Sequence, residues 1–174
     1  MLQEKTMVQL DHEKLETWFI QVVGGFIQER NLGILLHSRS PVKITEFRGR
    51  MPDLFFVQES RLSIVGQKAT MEAPDLIIEI ISPGDRPSDV RSLETDYRTI
   101  GVPEMVFVDL QKRRVRVLRR EETTYSDETI ASGNVALRSL DLSLPLDWLF
   151  IEPRPALRPT LAYLLGETPN PPLP

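Results

Sequence analysis

Two acidic residues carry the chemistry that the chain could do. Glu79 lies inside the run Leu76-Ile77-Ile78-Glu79-Ile80-Ile81, and Asp53 follows Pro52 at the mouth of a second apolar run, Leu54 to Val57. Burying even a neutral polar group without a partner costs about 2–7 kcal/mol. Glu79 must therefore be protonated, or face a cation or donor at the end of its strand. Asp after Pro is also ordinary turn chemistry. If 52–57 and 74–81 pair antiparallel, the start of one meets the end of the other and Asp53 falls beside Glu79. Asp75, at the opposite end, is left to capping or turn work. Two converging carboxylates repel unless a cation sits between them. A hard ion such as Mg²⁺ needs only one or two protein carboxylates, completing its shell with water and substrate phosphate oxygens. Such an ion activates water and offsets charge on a phosphodiester undergoing hydrolysis.

The elements that must position these groups read as follows. Residues 1–9 are expected to be a loose leader. Leu15, Trp18, Phe19, Val22, Val23, Phe26 and Ile27 recur at helical spacing, with Asp11 as the expected N-cap and Asn31 or Gly33 as the stop. Strand-like runs follow at Gly33 to His37, Val42 to Phe47 and Pro52 to Val57. A polar connector, 58–72, leads to the near-continuous apolar strand 74–81, as expected where both faces are covered. A helix from about Ser88, its expected N-cap, to Ile100 carries the stripe Val90, Leu93, Tyr97 and Ile100, with Gly101 at its exit. Met105 to Val108 is a further buried strand. Lys112 to Arg120 alternates around Val115 and Val117, a half-exposed strand with a basic outer face: a solvated face that resists edge pairing, or a phosphate contact. A hairpin is expected around Ser132-Gly133-Asn134, and the segment 142–150 closes over the sheet.

With 174 residues, the chain suits one domain with a sizeable core, assigned to 10–151. The remainder, 152–174, is a Pro-rich tail holding seven of the chain's 14 prolines, an arm that docks or stays disordered. The absence of cysteine excludes disulfides, thiolate zinc sites and a cysteine nucleophile. His12 and His37 are too far apart in sequence to form a local metal motif. No apolar run approaches the ~18 residues of a membrane span and no signal-peptide core is visible, so a cytoplasmic location is the expectation. The net charge of −4 argues against a broad nucleic-acid surface but leaves a local basic one open.

The order helix, strands, Pro-Asp, acidic strand, helix, strand is similar to the Uma-two family of restriction-endonuclease-like proteins, within the PD-(D/E)XK nuclease superfamily. The resemblance covers about 10–150. It rests on Pro52-Asp53, APDLIIEIISP at 73–83, Asp89 and Tyr97, GVPEMVFVD at 101–109 and LSLPLDWLF at 142–150. It implies an α/β (α+β) fold, a restriction-endonuclease-like mixed central sheet flanked by helices. Asp53 and Glu79 become the catalytic, metal-binding carboxylates of a Mg²⁺-dependent endonuclease, with DNA as partner and, by analogy with nucleases that cut two strands, a homodimer. One departure stands out. The family's helix lysine, four residues before the tyrosine, is Leu93 here, and the strand position two after Glu79 is Ile81. Arg86, Arg91 and Lys68 are the basic residues that could stand in. The implied activity is therefore weakened. The alternative is a catalytically degenerate nuclease fold serving as a nucleic-acid-binding or protein-interaction module.

Overall fold

The computed structural model describes residues 2–172. The elements are α1 (Leu2–Glu29), β1 (Gly33–His37), β2 (Val42–Lys43), β3 (Gly49–Arg50), β4 (Leu54–Gln58), β5 (Leu76–Ile81), α2 (Pro87–Thr99), β6 (Glu104–Asp109), β7 (Arg114–Glu121), β8 (Thr124–Ile130), β9 (Asn134–Leu137), β10 (Leu142–Pro145) and α3 (Leu157–Leu164). Six strands form one sheet in the order β1-β4-β5-β6-β7-β8, antiparallel throughout except for the parallel pair β5–β6. That parallel pair needs a crossover, and α2 supplies it. The expected mixed sheet flanked by helices is what the chain forms.

Alternation along the central strands splits the core in two. Leu54 and Phe56 of β4, with Leu76, Ile78 and Ile80 of β5, pack against the Leu15–Ile27 stripe of α1 and against Trp148 and Leu149. Phe55, Val57, Ile77, Met105 and Phe107 face the other way, toward Tyr97 of α2. By the same period of two, Asp53 and Glu79 belong to the α2 face.

Several boundaries differ from the sequence expectation. α1 runs through residues 2–9 rather than starting at an Asp11 cap, because that stretch is rich in helix formers and contains no breaker. It ends where expected: Asn31 is left-handed (φ 52°) and the Leu32 N–H bonds back to the Ile27 carbonyl. Gly33 (φ 145°) follows, and a β-carbon there would lie 2.1 Å from the Val57 carbonyl oxygen. The Val42–Phe47 run contributes only the two-residue β2, paired with β3 in a small separate hairpin. α2 begins one residue early, with Pro87 in its first turn and Arg86 as N-cap, so Ser88 is not the cap. Proline's fixed φ suits that first helical position. β7 is an interior strand covered by β8, not an exposed basic edge.

Residues 157–164 form α3, which lies on α1. A β-carbon at Gly25 would meet Leu161 at 2.9 Å, so the glycine that weakens α1 also admits α3. The Trp18 indole N–H donates to the Pro155 carbonyl (3.2 Å). Among the described residues, no helix is long and apolar enough to cross a membrane.

Candidate metal centre

The β4–β5 ladder pairs Phe56 with Leu76, Phe55 with Ile77 and Leu54 with Ile78, so the next step sets Asp53 opposite Glu79. The antiparallel pairing expected from sequence brings the two carboxylates to the same end of the sheet. Asp53 Oδ2 accepts the backbone N–H of Ile80 at 2.7 Å, taking over the ladder where β4 stops. Its main chain is fixed from the other side, where the Ser38 N–H donates to its carbonyl at 3.2 Å.

Glu79 is buried, and its Oε1 accepts the Tyr97 hydroxyl. Burial first and the charge on Asp53 second push the Glu79 carboxyl up to about 8, against the pull of the Tyr97 hydrogen bond. Tyr97 is also raised, by its own burial and then by the charge of Glu79, so its hydroxyl stays a donor. The pair sets the buried Glu79 carboxyl beside the part-buried carboxylate of Asp53. An all-oxygen donor pair of that kind fits a hard divalent ion, to which either carboxylate could bind.

Two neighbours of this pair were not legible in the sequence. His12, on α1, brings its Nε2 to 3.2 Å from Asp53 Oδ2. Its hydrogen bond to Asp53 raises the imidazole pKa above the ordinary 6.5; burial opposes this, and the charges of Asp53 and Glu16 add to it. One helical turn on, Glu16 is buried and accepts the Ser38 hydroxyl at 2.5 Å. The ligand atoms of His12, Glu13 and Glu16 lie within 4.8 Å of one another. The available signal was periodicity: His12 and Glu16 fall at i and i+4, and Glu16 sits inside the apolar stripe beside Leu15 and Phe19. The second neighbour is Arg50, which bonds neither carboxylate. Its charge reaches the Tyr97 hydroxyl and pulls that pKa downward. Its guanidinium is held by Asp96 Oδ2 (Nε, 2.7 Å) and Ser92 Oγ (Nη2, 2.7 Å), and Arg48 bonds the other oxygen of buried Asp96. The β2–β3 hairpin is thereby fastened to α2.

Leu93 is half-buried against the cluster that contains Tyr97, Ile77 and Phe107, completing the apolar stripe of α2. Among the described residues, the carboxylates of Asp53 and Glu79 are hydrogen-bonded to His12, the Ile80 N–H and Tyr97, and none of Arg86, Arg91 and Lys68 bonds either of them. Arg91 instead lines a cleft of about 400 Å³ beyond the end of β5, together with Ile81, Phe107, Arg114 and Arg116. Asp75 lies at the far end of β5, as expected. It accepts the Gln58 N–H (2.9 Å), the Gln58 side-chain amide (2.9 Å) and Arg61 (2.7 Å), which fixes the turn after β4.

The basic strand is largely neutralised from within. Arg116 bonds Glu94 at 2.6 Å and Asp127 at 2.5 Å, and those two hydrogen-bonded carboxylates raise its pKa against the opposing effect of burial. Arg119 is buried on Glu104 at 3.0 Å. These two cations are committed to acids of the same protein, whereas Arg113 and Arg120 bond main-chain carbonyls.

A family model described as "Uma2: Putative restriction endonuclease" matches residues 2–150. Among solved structures, a crystal structure titled as a "putative nuclease belonging to DUF820" from Anabaena variabilis superposes with a TM-score of 0.67. It is 18% identical and the match covers 80% of each chain, which makes it a likeness of fold. No curated protein matches.

Proposed function

The chain belongs to the Uma2 restriction-endonuclease-like family, and on that premise we propose that it hydrolyses DNA phosphodiester bonds at Asp53 and Glu79. The observation that carries the reading is the β4–β5 register, which sets these two carboxylates side by side at one end of the sheet. Both would hold a divalent cation, Mg²⁺ in the simplest case. Such an ion, when bound, neutralises phosphate charge and lowers the pKa of a coordinated water. The protein's own groups do the rest. The Ile80 N–H and His12 fix the orientation of Asp53, and Tyr97 fixes that of Glu79.

Leu93 supports a second reading. An ammonium at that helix position would help position attacking water and stabilise developing charge. A leucine does neither, and Arg50 is tied to Asp96 and Ser92. We therefore propose a weak endonuclease, with a catalytically degenerate binding or interaction module as the alternative. Nicking of supercoiled plasmid in Mg²⁺ tests both. Weak nicking that disappears in Glu79→Ala and rises in Leu93→Lys supports the weak enzyme. Robust native cleavage abolished by Glu79→Ala means that another group replaces the lysine. No cleavage from the native chain or Leu93→Lys supports the module.

A further inference from the structure

Ladder pairing sets Glu79, Phe107 and Arg116 in one row across β5, β6 and β7, and Ile81, Asp109 and Arg114 in the next row toward the end of the sheet. Residues two apart on a strand share a face, so both rows lie on the α2 face with Glu79. With about 4.8 Å between strands and about 3.3 Å per residue, the Arg114 Cα stands about 12 Å from that of Glu79. The cleft of about 400 Å³ beyond the end of β5 lies at this outer row. Pro83, Pro87 and Val90 line it with apolar surface, and Arg91, Lys112 and Arg114 with cations.

These three cations are less committed than Arg116. Lys112 Nζ and Arg114 Nε approach the same Asp109 oxygen only to 3.5 and 3.9 Å, and their side chains stay 58% and 44% exposed. Both distances are longer than an ordinary N–H···O hydrogen bond. Arg91 is exposed and forms no ion pair among the described residues. The cleft's second acid, Asp85, accepts the Ser82 N–H at 2.7 Å. Long cationic side chains held this loosely can turn to a phosphate at little cost to the fold.

We infer that this cleft positions the substrate of the proposed reaction: it takes one phosphate of a DNA strand on Arg91, Lys112 and Arg114, with the attached sugar against Pro83 and Pro87. The inference rests on the proposed reading of Asp53 and Glu79 and adds the surface that holds the strand beside them. One strand of a duplex advances about 3.4 Å per nucleotide, so a span of about 12 Å is about three to four nucleotides. Phosphate contacts fix register and orientation without reading bases, so the cleft holds DNA without selecting its sequence.

The test measures binding apart from cutting, by fluorescence anisotropy of a short labelled duplex with the full chain in Ca²⁺. The double variant Arg91→Ala, Arg114→Ala should bind about tenfold more weakly, and its slope of log affinity against log salt should be shallower by about 2. Both arginines are exposed, so thermal melts should show the variant folded. Arg158→Ala removes an exposed cation from α3, which lies on α1 across the sheet, and should change neither quantity. The chain has no cysteine, so a single introduced thiol reports one place. Duplex DNA should slow alkylation of Gln111→Cys, in the cleft wall, severalfold and leave Arg158→Cys unchanged. Equal affinity and salt slope in wild type and double variant would overturn the inference, and Glu79-dependent nicking would then leave the two-carboxylate site standing. Weaker binding without protection of the Gln111→Cys thiol would also overturn it, as a long-range charge effect. A cleft effect with protection but no nicking in Mg²⁺ would keep the DNA surface and sink the enzyme reading. No binding of DNA by any of these proteins would overturn both.

Discussion

Replacing Glu79 with glutamine should flatten part of the pH dependence of stability in the metal-chelated protein. Glutamine keeps an oxygen for the Tyr97 hydroxyl and imitates the neutral carboxyl that burial and Asp53 favour. In the unfolded chain this carboxyl titrates at its ordinary value of 4.5, in the folded chain at about 8. The folded state thus binds the proton more tightly. The stabilisation is complete below the lower value and is lost as pH rises through the upper one. Between pH 6 and pH 8 the loss is on the order of 2 kcal/mol. For a chain of this size, that is a fall in Tm of about 4–8 °C. His12, whose pKa is also raised, loses stabilisation in the same direction. It is present in both proteins, so the difference between wild type and Glu79→Gln isolates the carboxyl. Urea or thermal melts in EDTA at pH 6, 7, 8 and 9 should show the variant already the more stable at pH 6, by about 2 kcal/mol, with that advantage growing by about 2 kcal/mol more toward pH 9. A difference that stays constant across the series would mean Glu79 is already ionised at pH 6, and the electrostatic account of the site would fail. Saturating Mn²⁺ should raise the wild-type Tm more at pH 8 than at pH 6, because fewer protons compete, and should do little for the variant.

Asp53→Ala should abolish the calorimetric heat of Mn²⁺ or Ca²⁺ binding; identical heats in both proteins would count against the ion site. Leu93→Lys should raise plasmid nicking by about tenfold, a fraction of what a positioned charge-stabilising donor is worth. Leu93 is only half-buried, so the change should cost about 1 kcal/mol in a denaturant titration. Glu104→Ala should be far more damaging, by about 3 kcal/mol, because it takes the buried carboxylate from Arg119 and leaves it only the exposed Glu128 and the Ala136 carbonyl. It also removes the acceptor for the Arg138 N–H (3.1 Å), Ser139 N–H (2.9 Å) and Ser139 hydroxyl (2.8 Å) that hold the turn after β9. A urea midpoint unchanged by that substitution would refute the assignment.

Legibility followed the range of the interaction. The strands Leu54–Gln58, Leu76–Ile81 and Glu104–Asp109 were readable because apolar runs bounded by Pro and Gly are local signals, and one antiparallel pairing then placed Asp53 against Glu79. Asp75 was placed by the same logic, since the far end of a strand is fixed once its register is. What escaped reading depends on side chains meeting across long separations. His12 reaches Asp53 over 41 positions, and Arg50 reaches Asp96 over 46. No spacing rule connects such pairs. Glu16 was the nearest thing to a warning, an acid inside an apolar helical stripe, as Glu79 is an acid inside an apolar strand. The basic strand misled for the complementary reason. Charge on Arg116 and Arg119 is visible in sequence, whereas its neutralisation by Glu94, Asp127 and Glu104 is visible only once the sheet and α2 are assembled.

The same geometry explains why a leucine can stand where the family resemblance leads one to expect a lysine without unsettling the fold. Leu93 lies in the stripe that α2 turns toward Phe55, Ile77 and Phe107, so packing gains from an apolar side chain there. Glu79 does not depend on position 93 for a partner, because Tyr97 already donates to it from one turn further along the same helix. Nor does Asp53, which is held by the Ile80 N–H and His12. The two carboxylates are thus supported by groups on β5, α1 and α2 that do not involve the missing cation. On the proposed reading, a leucine at position 93 gives an attacking water no help while the two carboxylates stay in place. On the proposed reading, metal binding and strand cleavage should therefore respond separately to mutation: Asp53 and Glu79 govern the first, and position 93 governs the second.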